Sequence, residues 1–362
     1  MKSFQIGKYW GIPVRVHWTF GLLILMVLGF GLINGMDIPS ILAYLFFIIL
    51  MFGCVILHEY GHALTARKYG VKTLDIIISP IGGIARLQSL PKKPVQELIV
   101  AIAGPLVNLT IAALLLVVSF IIFNEISFQD PEELLEIIAT PYGFISLLIY
   151  INTVLFLFNL VPAFPMDGGR IFRALLAMKF GSQRGTYYAS IVGRALAVVF
   201  VVVGIFMSFI LVLIGVFVFI MAKSENEQVR IRTTLSKYRA SDIMNMDFTS
   251  LHLSTSMQDV FQRYVRGGER NYLVFDSLNN VSGVLPEELI KSAVKQNVLN
   301  EPVGKFLQQN FAVLEEDLAL DKLYEKMGIG GLSIVAIKNG GQIQGVIDRQ
   351  MIYNFIKLQT SN

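Results

Sequence analysis

Long, nearly uncharged apolar runs fill the first part of the chain, and short polar segments separate them. The runs cover residues 17–33, 41–66, 95–123, 142–161 and 187–222. A helix needs about 20 residues to cross a hydrocarbon core of about 30 Å. The last run is too long for one crossing, so we expect it to divide near residues 204–208. The pattern predicts six membrane-spanning helices with both chain termini on the same side.

Charged residues between the runs change sign from one segment to the next. The charged residues of segments 1–16, 67–94, 162–186 and 223–239 are mainly lysine and arginine. The charged residues of segment 124–141 are all acidic. Basic loops stay on the cytoplasmic side of a membrane. Both termini are therefore predicted to be cytoplasmic. The first run lacks a typical cleavage site, so we expect it to be a span and not a removable signal peptide.

The composition also indicates a membrane protein. Of the 362 residues, 54% are hydrophobic and only 15% are charged, and the mean hydropathy is +0.62. The net charge of +4 follows the basic loops and does not suggest a nucleic-acid partner. A single cysteine excludes a disulfide framework and a cysteine-rich metal site.

The second apolar run ends in the motif His58-Glu59-Tyr60-Gly61-His62. On a helix, this spacing puts both imidazoles on one face, where they can bind one zinc ion. The glutamate between them is placed to act as a general base toward water. The alternative is a histidine pair satisfied by local hydrogen bonds. A membrane span weakens that alternative, because ionisable groups are costly there and usually functional.

A catalytic zinc site usually has three protein ligands, and Asp167 is the best candidate for the third. It lies in the proline-rich segment 159–170, which follows the fourth run and must break its helix. Non-helical backbone at membrane depth is tolerated only where protein or a cavity surrounds it. The alternative role for Asp167 is the N-cap of a helix that starts at Gly168.

Three other residues have metal-binding chemistry but less suitable positions. His17 stands beside Trp18 at the start of the first run, where an interfacial anchor is the usual role. His252 lies in the polar tail. Cys54 lies four residues before His58, and a third ligand in line along one helix would stretch the site over about 11 Å. We therefore interpret Cys54 as a small buried residue near the site.

These two motifs, in this order on the second and fourth of six spans, resemble the site-2 protease family of intramembrane zinc metalloproteases. The resemblance covers residues 1 to about 223 and implies zinc as the cofactor. The roles it implies are His58, His62 and Asp167 as zinc ligands, Glu59 as the catalytic base, and Asn159 as a donor near the oxyanion. For Asn159, an interhelical hydrogen bond that locks the helix break is the open alternative. The implied substrate is a single-pass transmembrane protein within the lipid bilayer of a prokaryotic plasma membrane.

A β-hairpin is predicted between the second and third runs. Segment 71–79 is rich in β-branched residues, and a Pro-Ile-Gly-Gly turn separates it from segment 84–87. An edge strand can hold a substrate chain in extended form. The hairpin resembles a glycine-containing membrane loop of the family, which implies Gly82, Gly83 and Ile84 as substrate-binding residues. The alternative is an ordinary surface hairpin. Segments 4–6 and 14–16 can add strands to the same small cytoplasmic-side sheet.

Residues 103–108 (Ala-Gly-Pro-Leu-Val-Asn) are predicted to interrupt the third run. Small residues and a proline suggest close packing against the motif helix. The family resemblance places Asn108 near the active site, where it implies a substrate-binding role. The residues alone favour packing or hydrogen bonding for Asn108.

The tail contains two similar units that start near Ala240 and Glu301. They resemble a tandem pair of CBS domains, which implies adenine-nucleotide binding and a possible homodimer. Nucleotide-binding members carry an Asp where this chain has Leu289 and Met351, and a Thr where it has Pro286 and Asp348. A structural or dimerising role is therefore the alternative.

Together these patterns predict a polytopic α-helical membrane protein with a small cytoplasmic-side β-sheet and a soluble α+β tandem CBS module. We expect a protease domain in residues 1–223, a linker in 224–238 and the CBS module in 239–362. The predicted activity is zinc-dependent cleavage of membrane proteins, modulated by the tail. The competing hypotheses are a CBS-regulated transporter and a catalytically inactive homologue.

Overall fold

The computed structural model describes residues 3–80, 82–88, 91, 93–124, 135 and 137–360. The chain forms two compact units, Met1–Glu227 and Gln228–Asn362. Their boundary lies within the predicted linker, but most of that linker is helical and not extended. The helix continues because Ile231 and Leu235 pack into the core of the C-terminal unit.

Helices dominate the first unit. They are α1 Phe20–Ile33, α2 Ile38–Lys68, α3 Pro94–Phe123, α4 Pro141–Asn159, α5 Asp167–Phe180, α6 Ser182–Met207 and α7 Phe209–Leu235. Within the described residues, five helices (α2, α3, α4, α6 and α7) are long and apolar enough to cross a membrane. The first predicted span differs, since α1 has only 14 residues, a length of about 21 Å. Its predicted beginning, His17, instead ends a β-strand.

The predicted division of the longest apolar run lies at Ser208. This residue has extended backbone (φ −163°, ψ 127°) between α6 and α7. Gly204 lies where the two helices meet, and a Cβ there would be 2.6 Å from the backbone nitrogen of Val212. Glycine therefore permits the two helices to contact each other directly after the turn.

The predicted interruption of the third run is wrong. Helix α3 continues from Pro94 to Phe123 with Pro105 inside it. Membrane helices tolerate an internal proline because neighbouring groups can satisfy the freed carbonyl. The expected close packing is present: a Cβ on Gly61 of α2 would lie 2.7 Å from the Ala103 carbonyl oxygen.

A four-stranded sheet packs on α2. Its strands are β1 Ser3–Tyr9, β2 Ile12–His17, β3 Thr73–Ser79 and β4 Gly82–Leu87, in the order β1-β2-β3-β4. Strands β2 and β3 are parallel, and the other pairs are antiparallel. The predicted hairpin and both predicted N-terminal strands are thus present. Val14, Ile76 and Ile78 form a buried cluster with Phe52 and Tyr60 of α2.

A buried carboxylate links three of these strands. Asp75 is 3% exposed, and it accepts two hydrogen bonds from the Arg86 guanidinium at 2.6 and 2.5 Å. Arg15 lies 3.4 Å away on β2. The hydrogen bonds from Arg86 to Asp75 raise the pKa of Arg86. This ion pair accounts for an acid in an otherwise apolar strand.

The C-terminal unit contains two repeats of the same topology. The first comprises β5 Ser250–His252, α8 Met257–Val265, β6 Tyr272–Phe275, β7 Val281–Leu285 and α9 Glu287–Lys295. The second comprises β8 Val313–Glu315, α10 Leu320–Gly330, β9 Ile334–Asn339, β10 Gln342–Asp348 and α11 Arg349–Thr360. In each sheet the first strand is parallel to the second, and the third is antiparallel. The two repeats therefore have the same order of strands and helices.

The segment that leads into each repeat packs against the other repeat. Ala240 lies in the core of the second repeat with Leu323 and Ile347. Val303 lies in the core of the first repeat with Leu251. Sequence order suggested that each lead-in belongs to the repeat that follows it. The exchange means that neither repeat has a complete core of its own.

Candidate metal centre

Helix α2 brings the two motif histidines together. His58 and His62 are 7% and 6% exposed, and their Nε2 atoms lie 3.1 Å apart. The spacing of four residues puts both rings on one helix face. Because this face is turned toward α3 and away from solvent, both imidazoles need partners inside the protein.

Asp167 reaches the same point from the other side. Its Oδ2 atom lies 3.2 Å from Nε2 of His58 and 3.1 Å from Nε2 of His62. Asp167 is the first residue of α5, and the N-cap position belongs to Met166. Of the two roles expected for Asp167, the geometry therefore favours the metal ligand over the cap.

The chain between α4 and α5 is buried in part. Ala163 and Phe164 are 0% and 2% exposed, whereas Leu160, Pro162 and Pro165 are exposed, so protein surrounds only part of this non-helical segment. A Cβ on Gly168 would lie 2.3 Å from the carbonyl oxygens of Leu160 and Val161. The glycine after Asp167 is therefore needed for the chain to fold back and present the carboxylate.

The second nitrogen of each histidine has its own acceptor on the protein. Nδ1 of His58 donates to Oδ1 of Asn108 at 2.5 Å, and Nδ1 of His62 donates to the Val100 carbonyl oxygen at 2.7 Å. These bonds place the proton of each neutral ring on Nδ1. In this tautomer both Nε2 atoms carry a lone pair and face the Asp167 carboxylate.

Three acceptor atoms at this separation fit a bound cation. The three residues form a buried cluster whose ligand atoms lie within 4.8 Å of one another. Zinc–nitrogen bonds of about 2.0–2.1 Å in a tetrahedron place neighbouring ligand atoms about 3.3 Å apart. The observed separations of 3.1–3.2 Å are close to that value. His58, His62 and Asp167 therefore fit a zinc ion with one open position.

Helix α3 approaches this centre very closely at Gly104. A Cβ there would lie 2.1 Å from Nε2 of His62 and 2.7 Å from Nε2 of His58. Any side chain at this position would enter the space between the ligand atoms. This explains the glycine in the small-residue stretch of α3.

Asn152 completes the support of His58, and our sequence reasoning missed it. Its Oδ1 accepts from Nδ2 of Asn108 at 2.9 Å, and its own Nδ2 donates to the Leu148 carbonyl oxygen at 2.8 Å. Both asparagines are 0% exposed. A polar amide within an apolar run was the available signal.

The burial of Asn108 bears on its role. The family resemblance implies substrate binding for Asn108, but its amide is enclosed between His58 and Asn152. Such a position can orient a ligand histidine, as outer partners of metal-binding histidines do. The packing and hydrogen-bonding role that the residues alone favoured is the one that fits.

Glu59 contacts the edge of the sheet. Its Oε2 accepts a hydrogen bond from the Ala85 N–H of β4 at 2.9 Å. A Cβ on Gly83 would lie 2.8 Å from Cγ of Glu59, so glycine permits this close approach. Gly82 has φ +136°, which glycine adopts readily, and Ile84 is 61% exposed. In the described part of the chain, no other strand pairs with this edge of β4.

The remaining candidates lie outside the cluster. His17 contacts the Thr19 hydroxyl at 2.7 Å, and His252 is exposed in β5. Cys54 accepts from Nδ2 of Asn152 at 3.5 Å. Asn159 is the last residue of α4 and is half-buried, and among the described residues its amide has no hydrogen-bond partner.

The positions aligned with the nucleotide site of CBS domains have structural contacts. Leu289 packs against the core of the first repeat. Oδ1 of Asp348 accepts from the Met351 N–H at 2.8 Å, and its Oδ2 accepts from Asn271 at 3.3 Å. Pro286 immediately precedes α9. These contacts serve the fold of the tail.

Proteins named as zinc metalloproteases resemble this chain along almost its whole length. The family model described as "Peptidase family M50" matches residues 46–200. Zinc metalloprotease MJ0392 of Methanocaldococcus jannaschii is 31% identical over 349 residues, which make up 96% of this chain and 94% of the relative.

Solved structures match the two parts of the chain separately. The site-2 protease from Methanocaldococcus jannaschii is 38% identical, with a TM-score of 0.45, and the match covers 62% of this chain and 95% of that chain. The CBS domain pair of protein MJ0100 is 16% identical, with a TM-score of 0.31, and the match covers 34% of this chain and 98% of that chain.

An H-E-x-x-H helix and a carboxylate on a later element, within a multi-pass membrane protein, define the class of membrane zinc metalloproteases. The chain belongs to peptidase family M50, the site-2 proteases. It is a zinc-dependent protease.

Proposed function

We propose that this protein is an intramembrane endopeptidase that hydrolyses peptide bonds in or near the transmembrane segment of single-pass membrane proteins. The observation that carries the proposal is the convergence of three acceptor atoms, from His58, His62 and Asp167, within 3.2 Å of one another. Both histidines lie on α2, which is long and apolar enough to cross a membrane, and Asp167 begins the shorter helix α5. A cluster at membrane depth suits a substrate that is itself in the membrane.

Zinc held by His58, His62 and Asp167 would supply Lewis-acid chemistry, polarising the scissile carbonyl and acidifying water. Glu59 then takes the proton from the attacking water and delivers it to the leaving amide nitrogen. The Ala85 N–H holds Oε2 of Glu59, so Oε1 is the oxygen that receives the proton. Asn108 and the Val100 carbonyl keep the histidine tautomers that leave Nε2 unprotonated.

The substrate chain binds, in this proposal, as an added strand on β4. A helical segment hides its carbonyls in internal hydrogen bonds and must unwind before cleavage. The open edge of β4 offers main-chain hydrogen bonds to the unwound chain. Support comes from the contact of Ala85 with Glu59, which puts this edge beside the proposed base. Gly82, Gly83 and Ile84 are then substrate-binding residues, and Asn159 is an additional donor toward the oxyanion.

We place both termini and the tail in the cytoplasm of a prokaryotic cell, with α1 as a sixth span. The support is the excess of lysine and arginine in alternate loops. We also propose domain limits of 1–223 for the protease and 239–362 for the tail, on either side of the change from apolar runs to polar sequence. The tail is proposed to act as a CBS pair that regulates the protease or joins two copies of the chain. A thermal shift with AMP would test nucleotide binding, and the structural contacts of Leu289 and Asp348 predict no shift.

The test of the proposed activity is Glu59→Gln in the full-length protein, reconstituted with a single-pass model substrate. Removing a general base lowers the rate by about 10²–10⁴-fold, while the three ligands keep bound zinc at one ion per chain. Asp167→Ala serves as the contrasting variant, since it should lose zinc together with activity. Unchanged cleavage by Glu59→Gln, or full zinc retention by Asp167→Ala, would contradict the assigned roles.

A further inference from the structure

One face of α3 lines the metal centre at successive turns. The Val100 carbonyl oxygen accepts a hydrogen bond from His62, Gly104 faces both Nε2 atoms, and Oδ1 of Asn108 accepts a hydrogen bond from His58. Residues three or four apart lie on the same side of a helix. Glu97 lies one turn before Val100 and continues this row.

The partner of Glu97 is a buried arginine on the helix that carries Asp167. Arg173 of α5 is 3% exposed. Its Nε donates to Oε1 of Glu97 at 2.7 Å, and its Nη2 also donates to this oxygen. Nη1 donates to Oε1 of Glu225 on α7. The guanidinium further lies over the Phe164 ring at 5.6 Å from the centroid.

A buried ion pair is a poor source of stability in general, because removing both charges from water offsets most of their attraction. Its value is geometric, since a guanidinium binding through two N–H groups fixes the orientation of its partner. Here the pair joins α3, which orients both histidines, to α5, which begins with the third ligand. Arg173 follows Asp167 by less than two helical turns, about 9 Å.

We propose that Glu97 and Arg173 are positioning residues for the zinc site. Their ion pair holds α5 against α3, so that Asp167 stays within reach of His58 and His62. Glu225 neutralises the guanidinium from α7, a helix with no described residue in the metal cluster. This inference rests on the proposed zinc ligands, and it adds two residues that do not touch the metal.

The triad contains its own matched control. Two carboxylates share one guanidinium, so replacing either by glutamine leaves Arg173 paired with the other. Glu97→Gln and Glu225→Gln therefore make the same change of charge at the same arginine. Only Glu97→Gln breaks the link between α3 and α5.

The experiment measures zinc transfer to a chromogenic chelator from full-length protein, in a Glu59→Gln background that excludes self-cleavage. Loss of an outer partner of a metal ligand typically weakens zinc binding by about 10–100-fold. We expect Glu97→Gln to release zinc about tenfold faster than the parent and Glu225→Gln to stay within about twofold. Glu97→Asp retains the charge but has a shorter side chain, so it should also release zinc faster. This variant replaces Glu97→Gln in the test if Glu97→Gln does not fold.

Two further measurements separate positioning from general loosening. The midpoint temperature of thermal unfolding should fall in both glutamine variants, whereas the visible absorption of the cobalt-substituted protein should change only in Glu97→Gln. Equal zinc release from both variants, or unchanged release from Glu97→Gln and Glu97→Asp, would overturn the inference. A parent protein without stoichiometric zinc would instead overturn the proposed function.

Discussion

At the scale of single residues, the metal centre depends on the absence of a side chain at Gly104. The two Nε2 atoms face the backbone of α3 where only hydrogen fills the side-chain position. The same helix would accept alanine readily on propensity alone, which favours alanine over glycine by about 1 kcal/mol. Function and helix stability therefore make opposite demands at Gly104.

Gly104→Ala should abolish tight zinc binding while the protein remains folded. The added Cβ would lie 2.1 Å from Nε2 of His62, in the space that the metal needs. We expect at least a 10-fold weaker zinc affinity, of the order seen when a metal site is disturbed, measured by competition with a chelator. Gly53→Ala on α2 is the control, since a Cβ there meets nothing within 4 Å. Normal zinc affinity in Gly104→Ala would contradict the described geometry.

At the scale of elements, two neighbouring motif residues attach α2 to opposite ends of the sheet. Glu59 binds β4 through Ala85. Tyr60 donates its hydroxyl proton toward the carbonyl oxygens of Ile12 at 3.2 Å and Tyr9 at 3.3 Å, beside the turn between β1 and β2. The Trp10 ring lies edge-on to Tyr60, with centroids 5.1 Å apart. The sheet is therefore fixed to the motif helix at the proposed substrate edge and at its opposite end.

Tyr60→Phe should raise KM for a membrane substrate by about fivefold, because one hydrogen bond contributes about 1 kcal/mol. The zinc content and kcat should not change, since the ligands and Glu59 are intact. Steady-state cleavage at varied substrate concentration measures this. Tyr44→Phe is the matched control, because Tyr44 lies on the same helix and also donates to a carbonyl, that of Leu135 at 3.0 Å. An equal effect of both substitutions would argue against a role of the sheet position in substrate binding.

At the scale of the whole molecule, the position of α1 decides the membrane topology. Helix α1 has 14 residues and is short against a hydrocarbon core of about 30 Å. If it crosses, as proposed, Lys8 of β1 is inside the cell and Asn34, which follows α1, is outside. Both Lys8 and Asn34 are exposed in the structure.

Cysteine labelling can test this topology because the chain has a single natural cysteine, Cys54. In a Cys54→Ala background, Asn34→Cys should react with a membrane-impermeant maleimide in intact cells. Lys8→Cys, before α1, should react only after the cells are opened. The same degree of labelling at Lys8 and Asn34 in intact cells would show that α1 does not cross and that the protein has five spans.

Periodicity and charge were sufficient to predict most of the architecture, for physical reasons visible in particular segments. The bilayer demands long apolar helices, so the division at Ser208 and the break after Asn159 were evident from length and prolines. The first span was predicted to start at His17, because this residue adjoins the apolar run. In the structure His17 is instead the last residue of β2. Pro105 led to the wrong prediction that α3 is interrupted. A neighbouring helix can compensate for the backbone hydrogen bond that proline removes.

The site was predictable where chemistry is encoded in local spacing, and less so where it depends on contacts between distant segments. His58 and His62 share a helix face, and Asp167 was marked by its unusual surroundings. The supports are different: Asn152 and Arg173 acquire their roles only from residues far away in the chain. Asn108 was noticed, but only the packing of α3 against α2 and α4 reveals which group it holds.

The exchange of lead-in segments in the tail has a consequence for biosynthesis. Ala240 leaves the ribosome before the strands and helices of the second repeat, whose core it completes. The first repeat must likewise wait for Val303. Contacts between segments far apart in the chain slow folding, and domains generally fold as units during synthesis. The tail therefore acquires its fold last, after the helices of the metal centre have entered the membrane.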